Sequence, residues 1–534
     1  MYERVTPTSD QIRNATALLF KHLPSSGLAL AATKAHLQNL IPGFNRSSQS
    51  PNYYGFVIGG ALPAAAFADT IVTETDQNVG VHLPDDTVAT TVEDRALRML
   101  CELVNLDPDR FPHRIFTTGA TASNVLGLTC GREYVVHQRL SRSGKDGEVS
   151  VAKMGLYEAL LAIRAHGIRV LTTVPHSSLK KAASIAGIGH NNVVDVGKQD
   201  APHKFDLERL ELYLKSSENL SIVAVSCAEV NTGLFATTLK EMEAIRKLCD
   251  EYGGWIHVDA AFGLLARVLP ASNPEYSLIR SGVAGLELAD SITGDAHKLL
   301  NVPYDCGIFL SRHLQNAIAV FQNPNAAYLN SGGSSSDSVI SPLNIGIENS
   351  RRFRALPVYA ALLDQGKLGF QQMLERQIKL SRKIAALLEG SSSSSPYEVL
   401  PSLGPDDQHP ATRLERIVAS TYIIVLFRLR DPTLNRYLPE FISEVNSSGK
   451  IYISGTEFEG QPAGRFAIAN WQADPERDIQ VIREALEEMI SDGIVPKGHI
   501  ASLKLANVSV SPECRDRDFG GYEYVTARKI LVSA

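Results

Sequence analysis

From about residue 113 the chain settles into an alternation that few folds can accommodate. Short β-branched or apolar runs ("RVLTTV", "SIVAVSC", "GWIHVDAAF", "DSITG", "CGIFLS") alternate with stretches of helical period such as "SSLKKAASIAG" and "TLKEMEAIRKLCDEYG". Runs that are apolar throughout belong inside a sheet, and the amphipathic stretches between them are the crossovers that parallel strands require. The pattern predicts an α/β domain with a mostly parallel sheet covered on both faces. Ligands of such sheets bind beyond the carboxyl ends of the strands, and the polar clusters of this chain fall at those ends.

The 534 residues exceed one ordinary core. Residues 1–80 read as helices followed by an irregular Gly/Pro-containing segment. Leu97, Leu100 and Leu103 recur at helical spacing and predict a helix from near Thr91. Residues 81–365 hold the alternation. Residues 366–495 read as a smaller α+β domain, with strands in "STYIIVLFRL" and "GRFAIANW" and a helix carrying Ile479, Ile482 and Leu486 on one face. Residues 323–338 are rich in Asn, Gly and Ser and predict a long loop, and Ser391–Ser395 reads as a linker. Residues 496–534 have no clear reading.

Charge narrows the partners. Lys and Arg number 52 against 58 Asp and Glu, a formal charge of −6, so nothing draws the chain to nucleic acid or an anionic membrane. No apolar run approaches a membrane span, and the first residues lack a signal-peptide pattern. Six scattered cysteines without a Cys-x-x-Cys pair read as reduced, buried thiols. They point to a cytoplasmic protein and away from a cysteine-bound metal.

Four clusters could do chemistry. "TTGATASN" (117–124) follows a strand and opens a helix, as an anion cradle or as an ordinary capped glycine turn. His176 in "PHSS" closes a strand; it could stack on a planar ring or be a satisfied loop histidine. Asp259 ends the apolar "IHVDAAFG" run, where an acid needs a partner, be it a cofactor, a helix start or a metal. Lys298 lies in "GDAHKLLNVPYDCG", otherwise an interior-like segment. A lysine withdrawn from water is a nucleophile for carbonyls, the requirement for a Schiff base, although a salt-bridged or phosphate-binding lysine would also fit. Taken together, an anion cradle, a planar neighbour, a buried acid and a sheltered lysine are the fittings of pyridoxal phosphate. Neither a G-x-G-x-x-G nor a G-x-x-x-x-G-K-[ST] pattern is present.

In this order, "TTGATASN", "PHSSLKKA", "HVDAAFG", "ADSITGDAHKLLNVPYDCG" and "SRRFRALPVY" resemble the group II pyridoxal-phosphate-dependent amino acid decarboxylases, over roughly residues 45–365. The resemblance implies an aspartate-aminotransferase-like large domain of fold type I and an enzyme that releases CO2 from an L-amino acid. It makes Lys298 the covalent lysine, Asp259 the partner of the pyridine nitrogen and His176 the ring-stacking histidine. Ala120 and Thr121 become the phosphate cradle, Ala261 lies against the ring, and Asp295 and His297 lie beside the phosphate or the lysine. Tyr328 in "NPNAAYL" resembles a catalytic-loop tyrosine that reaches a neighbouring subunit's site, which implies a homodimer with composite active sites. Tyr53, Tyr54 and Phe56 are candidates for an aromatic substrate pocket.

The chain departs from the family pattern at Glu229 and Asn231, where threonines are usual, and at Leu299, where a tryptophan often follows the lysine. Alternatives on the same scaffold are oxidative deamination to an aldehyde, a lyase step, transamination, or a catalytically silent homologue.

Overall fold

The computed structural model describes residues 4–45, 49–143, 149–323, 339–390, 395–401 and 412–491. The chain forms two compact units. One combines the described residues up to Ile58, including β1 (Tyr53–Tyr54), with those from Gln377 onward; the other is Gly59–Arg376.

These divisions differ from boundaries at 80 and 365, for two physical reasons. β1 pairs in parallel with a strand of the carboxyl-terminal chain, so the segment before residue 59 is hydrogen-bonded into that unit. The stretch after it is regular: Pro63–Thr75 is a helix with Pro63 in its first turn, burying Ala65, Ala68 and Val72. Proline fits there because its missing N–H would have no partner in the first turn.

The larger unit holds a seven-stranded sheet of β2 (His113–Thr117), β3 (Gly167–Thr172), β4 (Val193–Asp195), β5 (Asn219–Ser226), β6 (Trp255–Asp259), β7 (Ser291–Asp295) and β8 (Gly307–Ser311). Their spatial order is β2-β8-β7-β6-β5-β3-β4. Pairings from β4 through β7 are parallel, and β8 runs antiparallel to both its neighbours. This is the mostly parallel α/β sheet of fold type I. The helix expected near Thr91 is Ala89–Leu103, which buries Leu97, Leu100 and Leu103.

Helix Ala120–Arg142 leads away from the end of β2 and packs on the sheet. Glycine makes the close approach possible. A Cβ at Gly131 would lie 2.8 Å from the Trp255 ring, and one at Gly127 2.3 Å from that of His257. The helix start is thereby held near the carboxyl ends of the central strands.

Arg351, from "SRRFRALPVY", is buried in this unit and ties three segments together. Its guanidinium donates to both Glu93 oxygens at 2.8 and 3.1 Å, and to the carbonyls of Val79 and Phe116. Removing one partner leaves a buried charge uncompensated. Arg351→Met should therefore cost about 3–5 kcal/mol. A urea unfolding curve of the variant, followed by tryptophan fluorescence, reads that loss, and a change below about 1 kcal/mol would contradict it.

The smaller unit has β9 (Tyr397–Leu400), β10 (Ile424–Leu429), β11 (Tyr452–Phe458) and β12 (Gln461–Ala467), in the order β1-β11-β12-β10-β9. All pairings except β1 with β11 are antiparallel. Its core joins Phe427, Phe441, Phe466, Ile453 and Ile482 with Tyr54.

Candidate active site

Asp259 is the last residue of β6, in register with Ser226 of β5 and Thr293 of β7. The four residues before it are buried and Asp259 itself is half-buried, so an apolar strand delivers a carboxylate to the sheet edge. Asn124, on helix Ala120–Arg142, donates its amide to Oδ2 at 2.8 Å, and the Ala261 N–H donates to Oδ1 at 3.2 Å.

Asp295 ends β7, with a side chain only 3 % exposed. Its Oδ1 accepts from the Ala120 N–H at 2.6 Å, and its Oδ2 lies 2.8 Å from Lys298 Nζ. The lysine also lies over the Phe262 ring, 5.7 Å from the centroid. Lys298 is thus held by an ion pair in a half-buried position, which accounts for a lysine in an interior-like segment.

His297 accepts the Cys306 N–H at Nδ1, 3.2 Å away, which leaves its ring proton on Nε2, facing Asp295 Oδ1 at 3.8 Å. Burial lowers its pKa, against the Asp295 charge, so the ring is neutral at physiological pH. The ring packs against Tyr304 with centroids 4.5 Å apart, and the Tyr304 hydroxyl is pushed up to about 12 by burial and by the Asp295 charge.

The start of helix Ala120–Arg142 is the natural anion site, because the first N–H groups of a helix have no intrahelical acceptor. Gly119 through Ala122 are partly exposed. A Cβ at Gly119 would make ordinary contacts, 3.4 Å from His297 and 3.6 Å from Asp295, whereas one at Gly307 would strike Gly119 at 2.5 Å. Gly307 thus lets β8 lie directly against the turn that opens the helix. An apolar hollow lined by Leu100, Ala261, Phe262, Leu299 and Ile308 has Asp295 on its wall. Backbone donors for a phosphate, a carboxylate for a ring nitrogen and an amine for a carbonyl therefore lie on neighbouring elements. These residues fit pyridoxal phosphate.

The structure gathers Ala120, Asp259, Ala261, Asp295, His297 and Lys298 into one region of the larger unit. His176, at the end of the β3 loop, is exposed, and its Nδ1 accepts the Ser178 N–H to cap helix Ser177–Ile185. Tyr328 lies outside the described residues. Tyr53, Tyr54 and Phe56 belong to the smaller unit: Tyr53 stacks on Tyr452, Tyr54 is core, and Phe56 is exposed.

Glu229 turns back on its own loop, accepting from the Asn231 and Thr232 N–H groups and the Thr232 hydroxyl. That departure from the family pattern is a turn-stabilising carboxylate. Leu299 is buried. Asn124 and Tyr304 were not singled out from sequence. The asparagine closes the "TTGATASN" motif and the tyrosine lies in "VPYDCG", so both were visible without a partner to give them meaning.

Residues 21–399 match the family described as the pyridoxal-dependent decarboxylase conserved domain. The chain is 23 % identical over 449 residues to tryptophan decarboxylase 1 of Oryza sativa subsp. japonica, covering 81 % of this chain and 79 % of that one. It is 25 % identical over 442 residues to phenylacetaldehyde synthase of Arabidopsis thaliana, covering 80 % and 79 %. The fold superposes on a crystal structure of Oryza sativa TDC with PLP and tryptamine at a TM-score of 0.74 and 20 % identity, covering 92 % and 94 %. Among the described residues no helix is long and apolar enough to cross a membrane.

Proposed function

Because the chain belongs to the pyridoxal-dependent decarboxylase family and is a pyridoxal-phosphate-dependent amino acid carboxy-lyase, we propose that Lys298, Asp259 and the start of helix Ala120–Arg142 are its cofactor fittings and that its product is the amine. The observation supporting this assignment is the meeting of two groups on one buried carboxylate, beside a second carboxylate that ends the neighbouring strand. Asp295 holds both Lys298 Nζ and the Ala120 N–H, while Asp259 ends the neighbouring strand.

When bound, pyridoxal phosphate supplies an electrophilic carbon that an amine can hold and a ring that accepts the electron pair left by departing CO2. In this reading the phosphate would sit at the helix start beside Ala120 and Thr121, where the helix dipole favours it and the Ala120 N–H is shared with Asp295. Asp259 holds the proton on the ring nitrogen through a charge-assisted hydrogen bond. Ala261 and His176 are the ring's apolar and planar neighbours. Lys298 must lose a proton from Nζ before it can act as a nucleophile, and Asp295, 2.8 Å away, is the group that receives or holds it. The neutral His297, with Nε2–H toward Asp295, steadies that carboxylate. The apolar lining strips water from a substrate carboxylate before it leaves. Tyr328 delivers the proton to the substrate Cα. Of the three aromatic candidates for substrate contact, Phe56 is the exposed one.

The active form in this proposal is a homodimer in the cytoplasm, with Tyr328 serving the partner's site. Helix Ser9–Leu18 buries none of its residues, and Leu30 and Leu37 of helix Ala29–Leu40 are exposed, an apolar surface that a second copy would cover. The described cysteines are free, and burial pushes the thiols of Cys101 and Cys227 up to about 12.

The test combines mass spectrometry, product analysis and sedimentation on one preparation. After borohydride reduction the pyridoxyl group should appear on the peptide containing Lys298. A panel of L-amino acids should yield amine and CO2 in equal amounts, and the protein should sediment at twice the chain mass. Label on another lysine, or a monomer with full turnover, would refute the corresponding part. The similarity to phenylacetaldehyde synthase supports one second reading, an aldehyde product. Aldehyde and ammonia with oxygen uptake in place of amine would establish that reading.

A further inference from the structure

Behind Asp259 lies a line of polar side chains that the proposed chemistry does not use. Trp255, His257, Ser291 and Asn124 are each fully buried. Trp255 Nε1 is 3.1 Å from Ser291 Oγ, which is 2.8 Å from His257 Nδ1. His257 Nε2 is 2.8 Å from Asn124 Oδ1, and Asn124 Nδ2 is 2.8 Å from Asp259 Oδ2. Thr293 Oγ1 stands 3.4 Å from the same Nε2.

The hydrogens in this line can be assigned from its two ends. An indole N–H only donates, so Ser291 Oγ accepts from Trp255. An ionised carboxylate only accepts, so Asn124 turns its nitrogen to Asp259 and its oxygen to His257. That oxygen only accepts, so His257 carries its proton on Nε2. A neutral imidazole then has a bare Nδ1, which takes the Ser291 hydroxyl proton. Burial keeps His257 neutral: its pKa is lowered to about 4, against the Asp259 charge. Every link therefore points the same way. Gly127 makes room for the imidazole here, since a Cβ there would meet Cε1 at 2.3 Å.

We infer that Trp255, Ser291, His257 and Asn124 form a one-way donor chain that orients Asp259 and tunes the hydrogen bond it accepts from a protonated ring nitrogen. Aligned donors polarise one another in a low-dielectric interior, so each link strengthens the next. The last donor is neutral and fixed, and it occupies one oxygen of Asp259 while the Ala261 N–H occupies part of the other. Asn124, His257 and Ser291 are positioning residues, and the inference rests on Asp259 being the cofactor's partner.

Two measurements test it separately from that reading. Neutron diffraction of the deuterated apoprotein should find deuterium on His257 Nε2 and on Ser291 Oγ directed at Nδ1. Deuterium on Nδ1, or on both ring nitrogens, would overturn the chain whatever the cofactor does. The second uses Ser291→Ala, which removes one small buried hydroxyl, loaded with pyridoxal phosphate carrying ¹⁵N in the ring. Its cofactor dissociation constant should rise by about tenfold, the scale of one lost hydrogen bond. The ring-nitrogen resonance should move from its wild-type position. Ser291→Thr keeps the hydroxyl and should restore the resonance. A folded Ser291→Ala protein with wild-type affinity and resonance would overturn the tuning. Label absent from Lys298 in the wild type would instead refute the functional assignment and leave the neutron result standing.

Discussion

Lys298→Ala should lower amino acid decarboxylation by roughly four orders of magnitude or more, the scale of losing a covalent catalytic group. Two roles of the lysine could cause such a loss, and they can be separated. The Nζ group pairs with Asp295, so its removal leaves a nearly buried carboxylate without its cation. Lys298→Arg keeps a cation in reach of Asp295 but provides no amine to hold a carbonyl carbon. Both variants should be equally inactive in a CO2-release assay, while the arginine variant keeps more of its thermal stability. Substantial turnover by Lys298→Arg would show that the residue acts through charge alone.

Asp259→Asn should bind cofactor more weakly and lose about 10²–10³-fold in kcat at saturating cofactor, comparable to removing one preorganised electrostatic group. The charge is one reason. The second is local: Asn124 Nδ2 and the Ala261 N–H both donate to Asp259, one to each oxygen. A side-chain amide has a single oxygen, so one of those donors would face another N–H. The variant should therefore also melt at a lower temperature than the wild type, and Asn124→Asp combined with it should not restore the rate. Wild-type kcat in Asp259→Asn would mean that another group holds the ring nitrogen.

Much of this site was legible because sheet sites are written at strand ends. "IHVD" and "SITGD" show an apolar run closing on an acid, and β6 and β7 end on Asp259 and Asp295. The helix start at Ala120 was readable from "TTGATASN" for the same reason. What sequence could not supply was pairing across distance. Asn124 meets Asp259 from 135 residues away, and nothing local to "SNVLG" marks its amide as a partner. Tyr304 gains its place only because the chain after Lys298 folds its ring against His297. Glu229 was visible as a departure, but its role depends on a turn whose amides converge on it. The boundary at residue 58 was hidden because β1 is two residues long and its partner, β11, is far along the chain.

That last pairing has a consequence for biosynthesis. Tyr53 cannot find Tyr452 until the ribosome has made about four hundred further residues, on the order of tens of seconds of elongation. The unit from Gly59 to Arg376 is finished well before then and contains Lys298, Asp259 and the helix start together. A nascent chain stalled beyond residue 376 could already assemble these groups, while its own first segment still waits, strand unpaired, for the last part of the message to be read.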